Sequence, residues 1–185
     1  MGLPTFRRAL VLGGIRSGKS EFAETLLPSA EATQVRYVAT GRRDPSDLEW
    51  EARIEAHRAR RPGTWSTVDV GADPLALPEV LTAAAPQDAL LVDDLGGWVA
   101  GVTEVTPRDR QSFATFAAKL ADAVRACPAT LVLVSPEVGL SLVPTTEIGR
   151  AFADALGLTN RAISAECDAV VLVIAGNAVP VKGAL

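Results

Sequence analysis

The stretch Leu10–Leu27, LVLGGIRSGKSEFAETLL, constrains this chain more than any other. Within it, Gly13-Gly14-Ile15-Arg16-Ser17-Gly18-Lys19-Ser20 fits the pattern G-x-x-x-x-G-K-[ST]. The apolar run Ala9–Leu12 before it reads as a strand, and Lys19–Leu27 after it reads as a helix. A strand that runs through a glycine-rich turn into a helix aims successive backbone N–H groups at one spot. The helix adds the positive end of its dipole there. Such a loop cradles the phosphates of a nucleoside triphosphate. Lys19 is placed to reach the β- and γ-phosphates, and Ser20 to offer its hydroxyl to Mg²⁺. What is done with the phosphates is left open.

The rest of the chain repeats the strand–helix rhythm. Val35–Ala39, Ala89–Val92, Thr130–Val134 and Ala169–Ile174 are short runs of Val, Leu, Ile and Ala with no polar alternation. That pattern predicts strands buried on both faces. Helical lengths fall between them at Leu48–Arg60, Pro74–Ala84, Pro107–Ala126 and Glu147–Glu166, with Thr106 and Pro107 suited to open the third of these. The expectation is one α/β domain over residues 1–185, a mostly parallel sheet between helices in three layers. The 185 residues are 48% hydrophobic but only 5% aromatic, so the core must come from Ala, Val and Leu.

Composition removes some functions. A net charge of -4 gives no support to a nucleic-acid binder. Cys127 and Cys167 stand far apart without companion ligands, which leaves them as idle, buried thiols. No apolar run approaches the roughly 20 residues of a membrane span, and no secretory signal precedes Leu10, so the chain reads as cytoplasmic.

A second acidic element belongs at the end of a neighbouring strand. Asp93 follows Ala89–Val92 in ALLVDDLGGW, where its carboxylate can hold Mg²⁺ opposite Ser20, usually through a water; a capping or solubilising aspartate is the alternative, and beside the phosphate loop the metal reading prevails. Leu-Gly-Gly follows Asp94 in place of the D-x-x-G switch of a signalling GTPase, and the chain contains no N-K-x-D guanine-reading motif. A phosphoryl or nucleotidyl transferase therefore moves ahead of a signalling GTPase.

The only histidine lies in DLEWEARIEAHRARRPGTWSTVD, Asp47 to Asp69. On a helix, Trp50, Arg53, Ile54, His57 and Arg61 share a face, and Arg58 and Arg60 add to a local basic cluster. His57 is then either an exposed residue among solvated arginines or a neutral imidazole beside bound phosphate, competent as nucleophile or general base. Spacing alone does not choose between them.

Taken in order, GGIRSGKS, YVAT, D-x-E-W-x-x-R-I-x-x-H-x-x-x-R-P-x-x-W-x-T, VDDLGGW, VSPEVG and D-A-V-V-L-V-I-A-G resemble one family. It is the bifunctional adenosylcobinamide kinase/adenosylcobinamide-phosphate guanylyltransferase family of cobalamin assembly, and the resemblance runs from about Ala9 to Lys182. It implies a RecA-like P-loop fold and two reactions. ATP or GTP phosphorylates the aminopropanol hydroxyl of adenosylcobinamide. GMP from GTP then passes through a histidine, matched by His57, to the cobinamide phosphate, giving adenosylcobinamide-GDP and pyrophosphate. The family's nucleotide contacts map onto Gly13 through Ser20, Thr40-Gly41-Arg42, Arg58-Ala59-Arg60-Arg61, Asp69 and Asp93. Arg42 and Arg43 are phosphate contacts or solvated loop charges. The family's members form homo-oligomers, trimers among them.

The chain departs from the family pattern at Pro136, often Asn, at Ser141, commonly Gly, and at Trp50, frequently Met. Glu137 is retained. The alternatives are a P-loop kinase for another small alcohol, without guanylyl transfer, and a nucleotide-binding module without catalysis.

Overall fold

The computed structural model describes residues 6–27, 34–42, 55, 58–106 and 110–183. Its strands are β1 (Arg8–Gly13), β2 (Val35–Ala39), β3 (Ser66–Asp69), β4 (Ala89–Asp93), β5 (Thr130–Pro136), β6 (Ala169–Ile174) and β7 (Asn177–Lys182). The helices are α1 (Lys19–Thr25), α2 (Leu77–Thr82), α3 (Leu95–Val105), α4 (Arg110–Ala126) and α5 (Glu147–Glu166), with a 3₁₀ turn at Pro74–Ala76 before α2. The strands form one seven-stranded sheet in the order β3-β2-β4-β5-β1-β6-β7. All neighbours run parallel except β6 and β7, which are antiparallel.

Successive residues of the strands go to opposite sides of the sheet. Ala9, Val11, Val132, Val134 and Val171 face one apolar cluster, which Ala23 and Leu27 from α1 and its C-terminal end cover. Leu10, Leu131, Leu133 and Val170 face the other, under Leu81, Trp98, Leu120, Leu156 and Ile163 of α2 to α5. Both faces are dry, which is why the strand runs show no polar alternation. The expected α/β three-layer architecture is the observed one.

Four elements differ from the sequence expectation. β3 and β7 are additional strands at the two sheet edges, and their residues are largely exposed. α3 is an additional helix through LGGWVAGVTEV; the Asp94 carboxylate accepts the Gly97 N–H at 2.9 Å and caps it. The helix expected over Pro74–Ala84 is split, its first turn being 3₁₀. The start of the helix expected at Pro107 lies outside the described residues, as does most of Leu48–Arg60; its described residues 55 and 58–60 are helical. Cys127 and Cys167 are free and buried, and burial pushes both thiols up, Cys167 to about 12. Neither is a thiolate at neutral pH.

Candidate functional site

Every parallel strand delivers its carboxyl end to one edge of the sheet, the edge at which open α/β sheets bind ligands. β1 ends there in Gly13, β4 in Asp93, β3 in Asp69, and Thr40-Gly41-Arg42 leaves β2. β5 lies between β1 and β4, so the phosphate-loop strand and the Asp93 strand are next-but-one neighbours, the RecA-like order.

The loop takes its shape from particular residues. A side chain at Gly13 would collide with the Ser17 hydroxyl, and its Cβ would stand 2.8 Å from the Val173 carbonyl. Arg16 and Gly18 have φ of 56° and 90°, left-handed values that bend the chain into the first turn of α1. The Ser17 N–H donates to Gly14 O at 3.3 Å, and the Gly176 N–H donates to Ser17 O at 2.9 Å, which ties the loop to the β6–β7 turn. Ile15 crests the loop and is 85% exposed. Lys19 is buried, and its ammonium reaches back to Gly14 O at 3.4 Å, a long contact for a buried cation.

Ser20 and Asp93 meet: the hydroxyl donates to Asp93 Oδ1 at 3.2 Å. The other carboxylate oxygen accepts from the Tyr37 hydroxyl, also at 3.2 Å. Burial holds the Asp93 carboxyl above the ordinary range, against the opposing pull of those two hydrogen bonds and of Lys19 and Arg61. Burial likewise raises Tyr37, so it stays a neutral donor. Burial and the charge of Asp93 together raise Asp94.

The basic segment docks onto this site. The Arg61 guanidinium carbon lies 3.4 Å from the centre of the Tyr37 ring, a cation–π contact. Arg60 pairs with Glu21 at 3.0 Å and Glu24 at 3.7 Å, both on α1. Arg58 and Ala59 are exposed on the same helical turn. His57 and Arg43 lie outside the described residues, as do Trp50, Arg53 and Ile54.

The remaining sequence candidates reach the same edge without joining that cluster. Asp69 is exposed and accepts the Gly71 N–H at 2.9 Å, with β2 between it and Asp93. The Thr40 hydroxyl, fully buried, donates to the Asp94 carbonyl, and Arg42 pairs with Glu104 of α3 at 3.0 Å. Glu137 donates its N–H to Gly13 O at 3.1 Å, and its carboxylate accepts from Gly139 N. Pro136 is held by its carbonyl, which accepts from Asn160 Nδ2 at 3.0 Å. Tyr37 joins that cluster although no sequence motif assigns it a role. It is the chain's single tyrosine, set in a buried strand two residues before that strand's last residue, Ala39, the partner of Asp93 in the sheet.

α3 and the residue 40–42 turn are in contact: a Cβ on Gly97 would stand 3.0 Å from both Gly41 Cα and Gly41 N. Gly97→Ala is therefore expected to push that turn away and destabilise the fold by about 1–3 kcal/mol, despite alanine's better helix propensity. Chemical denaturation checks this; unchanged stability would mean the turn yields freely.

The sheet order, the loop and the Ser20–Asp93 pair define a P-loop nucleotide-binding protein. Two structural likenesses agree on the fold. An ATPase from the type III secretion system of pathogenic bacteria matches at TM-score 0.53 and 14% identity, over 90% of this chain and 50% of that one. A Pyrococcus horikoshii protein matches at TM-score 0.57 and 6% identity, over 97% and 87%. Within that class the particular family is defined by sequence. The family model for cobinamide kinase / cobinamide phosphate guanyltransferase matches residues 9–181, and the chain belongs to that family. The chain is 37% identical to the bifunctional adenosylcobalamin biosynthesis protein CobP of Pseudomonas aeruginosa, over 95% of this chain and 98% of that protein. It is 36% identical to the corresponding CobU protein of Salmonella typhimurium, over 94% and 98%. No described helix is long and apolar enough to cross a membrane.

Proposed function

We propose that this chain performs both transfers of its family, using the loop Gly13–Ser20 as the seat of the triphosphate. The observation that carries the reading is the docking of the basic segment against the loop's own acidic partner, Arg61 over Tyr37 and Tyr37 onto Asp93. It joins the two motifs that the two reactions need.

In the kinase step the acceptor's alcohol oxygen attacks the γ-phosphorus of ATP or GTP. The bond from that phosphorus to the β–γ bridging oxygen breaks, the nucleoside diphosphate leaves and the alcohol proton is lost. Lys19 and the loop N–H groups hold the phosphate oxygens as charge moves onto the leaving group. In the guanylyl step a ring nitrogen of His57 attacks the α-phosphorus of GTP and expels pyrophosphate. A phosphate oxygen of adenosylcobinamide phosphate then attacks the same phosphorus, forms the diphosphate bridge and frees His57. The covalent intermediate replaces one hard displacement by two easier ones. Arg58, Arg60 and Arg61 carry the charge that steers the triphosphate to that side, with Thr40, Gly41, Arg42 and Asp69 completing the nucleotide contacts.

Ser20 and Asp93 suit Mg²⁺, since a hydroxyl and a carboxylate held 3.2 Å apart are the hard oxygen donors that ion prefers. Bound there, Mg²⁺ would neutralise phosphate charge. The reading includes one domain over the whole chain, work in the cytoplasm where ATP and GTP are made, and a homo-oligomer. The exposed Val179 and Val181 on edge strand β7 favour self-association.

Asp93→Asn tests the metal assignment with opposite signs on two readouts. Because the folded carboxyl is raised, its ionisation lowers stability as pH rises from the ordinary carboxylate value through the folded one. Asparagine removes that penalty, so the variant melts higher than wild type at pH 7, and the gap closes in acid. Phosphoryl transfer falls by about a hundredfold or more. A variant that is more stable and still fully active would remove Asp93 from the site.

A further inference from the structure

A groove of about 820 Å³ opens between the C-terminal half of α3, the start of α4 and the start of α5. Phe113, Phe152 and Leu158 form its apolar floor, while Glu104, Glu147 and Asp154 stand on its rim. Ile148 is also part of the wall and is 71% exposed.

The groove shares the edge that carries the phosphate loop. Its α5 wall begins at Thr146, in the connection that leaves the carboxyl end of β5. Its α3 wall carries Glu104, which pairs at 3.0 Å with Arg42, just past the carboxyl end of β2. Nucleotide phosphates do not suit it, because Glu147 and Asp154 repel a polyanion and Arg42 offsets only the third rim carboxylate, Glu104. A large, flat, apolar body edged with N–H donors and carrying positive charge does suit it, since the floor covers the body and the rim accepts the hydrogen bonds.

We infer that this groove seats the corrin body of the acceptor, a macrocycle fringed with primary amides around a cationic cobalt, while its hydroxyl arm extends along the edge to the phosphate loop. The inference rests on the function proposed above and adds where the acceptor is recognised. Floor residues select for size, and Glu104, Glu147 and Asp154 select amides over phosphates. Arg42 bridges the acceptor rim and the turn assigned to the nucleotide.

Ala100 and Asp154 line the groove, are exposed, and belong to no nucleotide contact. Ala100→Trp fills the groove and Asp154→Lys reverses one rim charge. Each is expected to raise the KM for adenosylcobinamide in the kinase step about tenfold while the KM for ATP holds. The rise in melting temperature caused by GTP stays at its wild-type size, which shows both variants folded and able to bind nucleotide. An unchanged KM for adenosylcobinamide in both variants would overturn the groove alone. Wild-type protein that neither binds adenosylcobinamide in equilibrium dialysis nor phosphorylates it would overturn the proposed function, and the groove with it.

Discussion

Lys19→Met is expected to cut kcat/KM for phosphoryl transfer about a thousandfold, with the folded state intact. The lysine is buried, and its ammonium has the Gly14 carbonyl at 3.4 Å as a hydrogen-bond partner. One long hydrogen bond and the nearby Asp93 and Asp94 carboxyls, whose own charge burial disfavours, do little more than offset the desolvation of this ammonium. Methionine keeps the length and the apolar stem while it removes the charge, so the apo melting temperature should hold or rise. What disappears is the cation beside the phosphates as negative charge shifts toward the leaving group. Ligand stabilisation gives an independent reading. At a concentration of 100 times Kd, a nucleotide that binds only the folded state adds about 2.7 kcal/mol, and most of that shift should vanish in Lys19→Met. A variant that loses the catalytic rate but keeps the full GTP-induced shift would assign Lys19 to the transition state alone. A variant that keeps both would place the phosphates elsewhere.

His57→Ala separates the two reactions. If the guanylyl group travels through this imidazole, the substitution removes the covalent route and lowers guanylyl transfer about a thousandfold or more, below detection in most assays. The kinase step attacks a different phosphorus with a different nucleophile, so its rate should stay within a few-fold of wild type. The two consequences together are the prediction. Equal loss of both activities would point to nucleotide binding and not to nucleophilic attack. Full guanylyl transfer in the variant would return His57 to an ordinary exposed residue of a basic helix. The arginines that follow it give the assignment its setting, because Arg60 and Arg61 anchor their segment to α1 and to Tyr37.

Much of this architecture was legible in the sequence because five strands are buried on both faces. A run such as Val-Leu-Val-Ile is hard to place anywhere but in the middle of a covered parallel sheet. β3 and β7 were not legible for the opposite reason: at the edges, Ser66-Thr67-Val68-Asp69 and Asn177–Lys182 need no apolar face, and Pro180 argues against a strand. α3 hid behind Gly96 and Gly97, each costing about 1 kcal/mol of helix propensity. Those glycines are explained by contacts the sequence cannot show: a Cβ on Gly96 would stand 2.8 Å from the Pro136 ring, and one on Gly97 would meet Gly41. The phosphate loop was fully legible, since its chemistry is contiguous. The Tyr37–Asp93 and Arg61–Tyr37 contacts were not, because they join residues from β2, β4 and the basic segment that only the sheet order brings together.

If one chain feeds two reactions from one phosphate loop through a guanylylated histidine, that histidine must carry GMP covalently while the acceptor is absent. GTP labelled at the α-phosphate, incubated with the unmodified protein and Mg²⁺, reads this. After removal of free nucleotide, label is expected on the protein that is lost in acid and survives alkali, as a phosphorus–nitrogen bond requires. Adenosylcobinamide phosphate, added without further GTP, should carry that label away as adenosylcobinamide-GDP. Protein that takes up no label, while cobinamide phosphate still receives GMP in a complete mixture, would contradict the covalent route. Label that stays on the protein after the acceptor is added would show a bystander in place of an intermediate.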